Sequence, residues 1–208
     1  MRSEVNRGVV WTIAALVLRS KGPFLDFGGG DGLFARMMRD VGIEFWSEDK
    51  YLPNTRCDLR LVGPVPSAFE AVTLFEVFEH LSDPFSTFET VFERSPTLLF
   101  TTEPIPRGGV NPDWWYFSWA TGQHILFASR KGIGLLAGRL DANVVSVGQF
   151  HFLSRRSLPR WRVRTALLFG RFAALMMPVV ERLSSLAVAD MDAIQAGYWA
   201  RAERNSLG

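Results

Sequence analysis

The chain has 208 residues, 48% of them hydrophobic and 21% charged, with a formal net charge of +2. That length gives one domain a substantial core and is short for two, and the mild charge gives no ground for nucleic acid as the default partner. Cys57 is the only cysteine, which excludes an intrachain disulfide and fits a reducing compartment.

The N-terminal stretch MRSEVNRGVVWTIAALVLRS has the apolar middle of a signal peptide, but it carries Glu4 and ends in Leu-Arg-Ser-Lys instead of a small-residue cleavage site. It is predicted as an amphipathic helix. PFLDF (23–27) is a short apolar run stopped by glycines, the mark of a buried strand, and GLFARMMRDV (32–41) follows with helical spacing. EFWS (44–47) reads as a second strand ending at Glu48 and Asp49, and a weak third strand is expected over 58–62. FEAVTLF (69–75) is a clear strand, Asp83-Pro84 starts a helix through Glu93, and TLLFTT (97–102) is the next buried strand. Strand and helix thus alternate in the manner of a parallel sheet.

The second half reads differently. Residues 103–121, rich in Pro, Gly and Trp, are expected as a long loop, with Trp114, Trp115, Tyr116 and Trp119 as a substrate wall, a satellite core or both. A helix is predicted over 123–136, then a hairpin of NVVSV (143–147) and QFHFL (149–153) turning near Gly148, and helices from Ser157 to near the end. The apolar stretch 166–180 is interrupted by Arg171 and Pro178 and falls short of the roughly 20 residues of a membrane span. It is expected to pack on the sheet through Leu167, Leu168, Phe172, Leu175 and Met176. Arginines collect in RRSLPRWRVR (155–164), a patch read as a solvated face or a contact for an acidic substrate or membrane surface. A soluble, cytoplasmic protein is expected, with peripheral membrane contact through the C-terminal region as an option.

The sharpest local signal is LDFGGGDG (25–32), a strand running through glycines into a helix. Glycine lets the chain turn sharply and brings bare backbone against a ligand. A dinucleotide site wants glycine at the sixth position of GxGxxG, where this chain has Leu33, with the third glycine one position early at Gly32. Asp26 beside the turn would repel a pyrophosphate, but it suits a ligand with an ammonium group and no phosphate, such as S-adenosylmethionine. Glu48 or Asp49 is placed to accept from ribose hydroxyls, and Asp58 from an adenine amino group.

These motifs resemble the class I S-adenosylmethionine-dependent methyltransferases, especially the small-molecule branch known as types 11 and 23. LDFGGGDG resembles the family's first motif, SEDKY (47–51) its second-strand acidic motif, and FEVFEHLSDP (75–84) the segment after its fourth strand. WWYFSWATGQHILFAS (114–129) is similar to a type 23 segment in which Gly-Gln-His follows the fifth strand. The resemblance covers about residues 20–155. It implies a doubly wound, mostly parallel α/β sheet of the Rossmann-like methyltransferase type, usually seven-stranded, ending in an antiparallel hairpin. The reading is one methyltransferase domain over 1–208, with a core of about 20–155 and C-terminal helices over about 157–208. It further implies that Gly28, Gly30 and Gly32, with Gly29 in the same turn, line the cofactor. Asp49 or Glu48, flanked by Lys50, would bind the ribose, and Phe75, Glu76 and Val77 would lie beside the methionine moiety.

Ligands in such sheets bind outside the carboxyl ends of the strands. That edge is expected to collect Glu76, Glu79, His80, Glu103 and His124. Methyl transfer to a hydroxyl or amine must also remove a proton, a task suited to histidine. His124, beyond the aromatic loop, is the first candidate base and His80 the second, while His151 in the hairpin is expected to be structural. The three histidines match no local metal-ligand spacing, and no metal is expected. The expected activity is transfer of a methyl group from S-adenosylmethionine to a small molecule or a glycan precursor, with S-adenosylhomocysteine as product. The rivals are a non-catalytic module that binds the same cofactor and a nicotinamide-dependent oxidoreductase.

Overall fold

Short apolar runs in the first half of the chain line up side by side because each is followed by a segment that returns it to the same edge. The computed structural model describes residues 2–57 and 64–195. The strands are β1 (Phe24–Phe27), β2 (Phe45–Glu48), β3 (Ala71–Leu74), β4 (Thr97–Thr101), β5 (Asn143–Val147) and β6 (Phe150–Ser154). Among the described residues they form one sheet in the order β2-β1-β3-β4-β6-β5. The first four are mutually parallel, and β6 runs antiparallel to both β4 and β5. The strand order reverses between β1 and β3, and this is the switch point where ligands of open α/β sheets bind.

Helices cover both faces. α1 (Arg2–Thr12), α2 (Leu33–Asp40) and α5 (Arg160–Ala173) bury Val9, Ile13, Met38 and Leu167 with Phe24 and Phe45 on one face. α3 (Pro84–Arg94) and α4 (Arg130–Arg139) bury Phe88, Val91, Ile133 and Ala137 with Leu25, Leu98 and Phe100 on the other. β3 and β4, packed from both sides, are apolar nearly throughout, as central parallel strands must be. α3 starts where Asp83 accepts the Ser86 N–H and Pro84 occupies the first turn, as its sequence predicts.

The other predicted strands, α2, α3 and the terminal hairpin are present, and Gly148 turns the hairpin at a φ of 59°. The segment 58–63, which holds the weak third strand and Asp58, lies outside the described residues. The helix expected over 123–136 begins only at Arg130. Ser129 caps it by accepting the Gly132 N–H, while Ile125 and Leu126 donate their N–H groups to the Glu79 carbonyl and Ala128 accepts from Ile105. Those long-range bonds hold 125–128 extended.

The C-terminal helices also depart from expectation. α5, a single 3₁₀ turn and α6 (Met177–Ser184) follow one another, and the 23 residues Arg160–Arg182 are long and apolar enough to cross a membrane. Among the described residues only a narrow stripe, Val163, Ala166, Leu167, Gly170 and Met177, is buried. α5 crosses α1 so closely that a Cβ on Gly8 would lie 2.3 Å from the Gly170 carbonyl oxygen. Thr12 donates to the Ala166 carbonyl at 3.0 Å across the same contact. Leu168, Phe169, Phe172, Leu175 and Met176 therefore face outward instead of packing on the sheet.

Candidate cofactor and acceptor site

The glycine turn leaves β1 at the switch point and is stitched to the end of β2 by backbone. The N–H groups of Gly28 and Gly29 both donate to the Glu48 carbonyl, at 2.9 and 3.1 Å. The glycines then divide by role. A Cβ on Gly28 would meet Val77 Cγ2 at 2.7 Å, one on Gly29 would meet Ser47 Oγ at 2.4 Å and Asp26 Oδ2 at 2.6 Å, and one on Gly32 would meet Asn54 Oδ1 at 2.1 Å. At these positions the protein's own packing demands glycine. Gly30 has nothing nearer than Leu52 Cδ1 at 3.9 Å, so its outer side is the open one.

Asp49 organises the neighbouring loop. Its Oδ2 accepts the Gly30 N–H at 3.0 Å, and Oδ1 accepts those of Tyr51 and Leu52 at 2.7 and 2.9 Å. Partial burial opposes its ionisation, but the three N–H donors outweigh it and hold the carboxyl below the usual range. Glu48, the other candidate, is engaged elsewhere: its Oε1 pairs with Arg94 Nη1 at 2.5 Å. Lys50 is exposed, with its ammonium 5.3 Å from the centre of the Tyr51 ring. Asp49 is therefore the carboxylate at the turn.

A cavity of about 450 Å³ opens beside it, lined by Trp46, Ser47, Asp49, Leu52, Asn54 and Val65 among others. Asn54 closes its floor by exchanging hydrogen bonds with Cys57, at 2.9 Å in each direction. Ser47 Oγ is buried there with no hydrogen-bond partner. Asp26 lies under the turn, 3% exposed, accepting from Thr73 Oγ1 at 2.7 Å. Burial pushes its carboxyl up to about 7; the Thr73 bond opposes this and the Asp49 charge adds to it. An orphaned hydroxyl, an open glycine and a carboxylate held ionised beside one cavity fit a ligand carrying a ribose, whereas Asp26, buried beneath Gly29, is not open to the ammonium group expected to meet it.

The second half of the edge lies beyond β3 and β4. Phe75 is half-buried, edge-on to Phe34 and Phe150, and serves the core. Val77 lies against Gly28. Glu76 sits at a φ of 55°, unusual for a residue with a side chain, and its N–H donates to Thr101 Oγ1 at 3.0 Å. His80 and His124, 44 positions apart, come together with ring centroids 5.1 Å apart. Each is oriented through Nδ1 by a backbone carbonyl: His80 by Gln123 at 2.9 Å and His124 by Tyr116 at 2.6 Å. Glu79, fully buried, lies 4.0 Å from His124 Nε2, and burial raises its carboxyl, as does the nearby charge of Glu76. His151 is buried within β6, bonded to Ser146 and the Thr102 carbonyl, and burial lowers it to about 4; it is structural. Burial raises the Cys57 thiol to about 11, which removes it as a nucleophile at neutral pH.

The aromatic loop does two things. Trp114, Tyr116, Phe117 and Phe127 pack on one another as a satellite core, while Trp115 and Trp119 are largely exposed. A small crevice lined by Glu76, Thr101, Thr102, Trp115 and Tyr116 shares Glu103 and Gln149 with a cavity of about 900 Å³. Arg107, Arg130, Lys131 and Arg171 contribute to that cavity. The sequence reading missed these cations, because they are scattered over the long loop, α4 and α5 and only folding gathers them.

With this geometry in view, comparison with known proteins is decisive on one point. The model of the type 23 methyltransferase domain family matches residues 1–147. The chain belongs to that family. No curated protein sequence matches it. Among solved structures it is similar to magnesium protoporphyrin IX methyltransferase from Synechocystis PCC 6803 with bound SAH (S-adenosylhomocysteine). The TM-score there is 0.51 at 13% identity, over 73% of this chain and 82% of that one. It is also similar to a possible histamine N-methyltransferase from Thermotoga maritima, with a TM-score of 0.49 at 11% identity, over 74% and 90% of the two chains. The first likeness concerns the fold, which is Rossmann-like with one antiparallel hairpin. The cofactor of this methyltransferase-domain protein is S-adenosylmethionine.

Proposed function

We propose that this methyltransferase-domain protein transfers a methyl group from S-adenosylmethionine to a hydroxyl of a small molecule or glycan precursor that carries negative charge. The observation that carries the reading is the adjacency, at one sheet edge, of the Gly28–Gly32 turn anchored by Asp49 and the Glu79–His80–His124 cluster. When bound, S-adenosylmethionine supplies a methyl on a sulfonium: the acceptor's electron pair bonds to the methyl carbon while the carbon–sulfur pair stays on sulfur. Asp49 would hold the ribose, and Gly30 would leave room for the rest of the ligand. Arg107, Arg130, Lys131 and Arg171 favour an anionic acceptor in the larger cavity. Holding both reactants at this edge lowers the barrier by proximity, and the Glu79–His80–His124 cluster is placed to assist loss of the acceptor's proton.

Calorimetric titration with S-adenosylhomocysteine tests the cofactor half of this reading. Micromolar binding that weakens by about 1–3 kcal/mol in Asp49→Ala is expected, as for losing charged hydrogen bonds. Absence of binding at any accessible concentration would sink the reading. Binding with no turnover across a broad set of anionic and neutral acceptors would favour a non-catalytic module.

The bare face of α5 and α6 supports a further element of the proposal, docking on an anionic lipid surface. Phe169, Phe172, Leu175, Met176 and Val179 are exposed there, and the segment 155–180 carries six arginines and no Asp or Glu. An apolar face beside cations is the pattern of a helix lying in the membrane interface. The burial of Gly170 and Leu167 against α1 favours lying on a membrane over crossing one. Flotation with vesicles containing phosphatidylglycerol should carry the protein and diminish with salt, and the double substitution Phe172→Glu, Leu175→Glu should abolish it. Equal flotation on purely neutral vesicles, or none at all, refutes the docking.

A further inference from the structure

We infer that Glu79, His80 and His124 form a binding site for one divalent first-row transition-metal ion beyond the carboxyl end of β3. Three potential ligand atoms, one from each residue, all lie within 4.8 Å of one another. The tautomers are set by the backbone. A carbonyl oxygen can only accept, so Nδ1 of His80 and of His124 must each carry the proton donated to Gln123 and to Tyr116. In the neutral rings this leaves the Nε2 lone pairs of both histidines free. A ligating histidine is held in just this way, with its other nitrogen donating to a carbonyl.

Glu79 supplies the second, independent observation. Its residue exposure is 0%, and neither carboxylate oxygen has a hydrogen-bond partner. The neighbouring Tyr116 hydroxyl, paired with Thr102 Oγ1 at 3.2 Å, lies close enough to stabilise the carboxylate in part but makes no full hydrogen bond to it. A buried carboxylate without a partner is costly, and a cation held jointly with two imidazoles removes that cost. The cluster is also anchored: the Glu79 carbonyl accepts from both Ile125 and Leu126, which docks the His124 segment against the turn that carries Glu79 and His80.

The donor set selects the ion. Two imidazoles and one carboxylate suit manganese, iron, cobalt, nickel or zinc, whereas magnesium and calcium prefer oxygen ligands. Three protein ligands leave coordination positions open. Tyr116, in ring contact with His124, also lines the crevice with Glu76 and Thr101, where an acceptor hydroxyl would be placed to become a further ligand. Such an ion lowers the hydroxyl's pKa and its proton passes to water, so no histidine needs to take it up. This use of the ion rests on the methyl-transfer reading; the binding does not.

The site is tested on the full-length, tag-free protein after dialysis against a chelator. Titration with cobalt(II) should give one equivalent of tight binding by calorimetry and a visible d–d absorption band, with magnesium failing to compete at equal concentration. His80→Ala and His124→Ala should each weaken cobalt binding by at least about tenfold. His80 is exposed, so its replacement leaves the fold intact, and a thermal melt of each variant checks this. Absence of a one-equivalent site, or cobalt binding unchanged in both variants, overturns the inference. S-adenosylhomocysteine is titrated into the same samples. Retained nucleoside binding without cobalt binding removes only the metal site, and the reverse outcome removes only the cofactor reading.

Discussion

The carboxyl edge of the sheet has two ends, and each buries a carboxylate. Under the glycine turn, Asp26 accepts a hydrogen bond from Thr73 and is sealed by Gly29. Beyond β3, Glu79 has no partner and faces two histidines. At the first end backbone hydrogen bonds join consecutive strands, so most of the geometry lies within residues 26–57, with Thr73 and Val77 added from β3 and the turn after it. At the second, residues from the β3 turn, the aromatic loop and α4 meet only through tertiary packing. One end is a closed device for a ligand common to a family. The other is an assembly whose vacant valences await something from outside, as expected where an enzyme chooses its acceptor.

The sharpest way to break this contrast is through Asp26. Its carboxyl stands near 7 in the folded protein, against about 3.9 in an unfolded chain. Between those values the folded state keeps a proton that the unfolded state has released, so this group makes stability fall as pH rises from about 4 to 7, with a constant penalty above. Asp26→Asn removes the titration and keeps the Thr73 bond. The variant should therefore gain on the wild type as pH rises, by at most about 4 kcal/mol above pH 7, with more than half of the gain accruing between pH 5 and 8. Denaturant melts of both proteins at pH 5 and 8 measure it. His151, lowered to about 4 by burial, contributes the opposite slope but cancels in the difference. A gap that does not change with pH would mean that Asp26 is ionised throughout and the turn is not the dry site described.

The same contrast explains what could be read from the chain alone. LDFGGGDG, the acidic end of β2 and the Asp83-Pro84 start are contiguous signals, each produced by residues that contact one another within a few positions, and the fold carries all of them. The choice of Asp49 over Glu48 was not legible, because it depends on Arg94 reaching Glu48 from α3. The start of α4 was misplaced because hydrogen bonds to Glu79, 46 and 47 positions earlier, outweigh the helical spacing of 123–129. His80 and His124 were chosen singly as bases, and no local spacing reveals that they share a point in space with Glu79. The bare face of α5 was invisible for a related reason: an apolar stripe states that a helix wants cover, not what covers it.

One substitution made at both ends sharpens the comparison further. Gly32, in the turn, has a φ of 85° and would drive a Cβ to 2.1 Å from Asn54 Oδ1. Gly134, in α4, has ordinary helical backbone and nothing within 4 Å of its Cβ position. Gly32→Ala should destabilise by about 1–3 kcal/mol, since it forces a left-handed alanine and displaces the residue that floors the cofactor cavity. S-adenosylhomocysteine affinity should fall with it. Gly134→Ala should stabilise by about 0.5–1 kcal/mol, because alanine restricts the unfolded chain and favours the helix, and it should leave nucleoside affinity unchanged. Chemical denaturation with parallel calorimetry reads both. Equal effects of the two substitutions would mean that the turn is no more constrained than a surface helix, and the division of the edge into a closed end and an open end would fail.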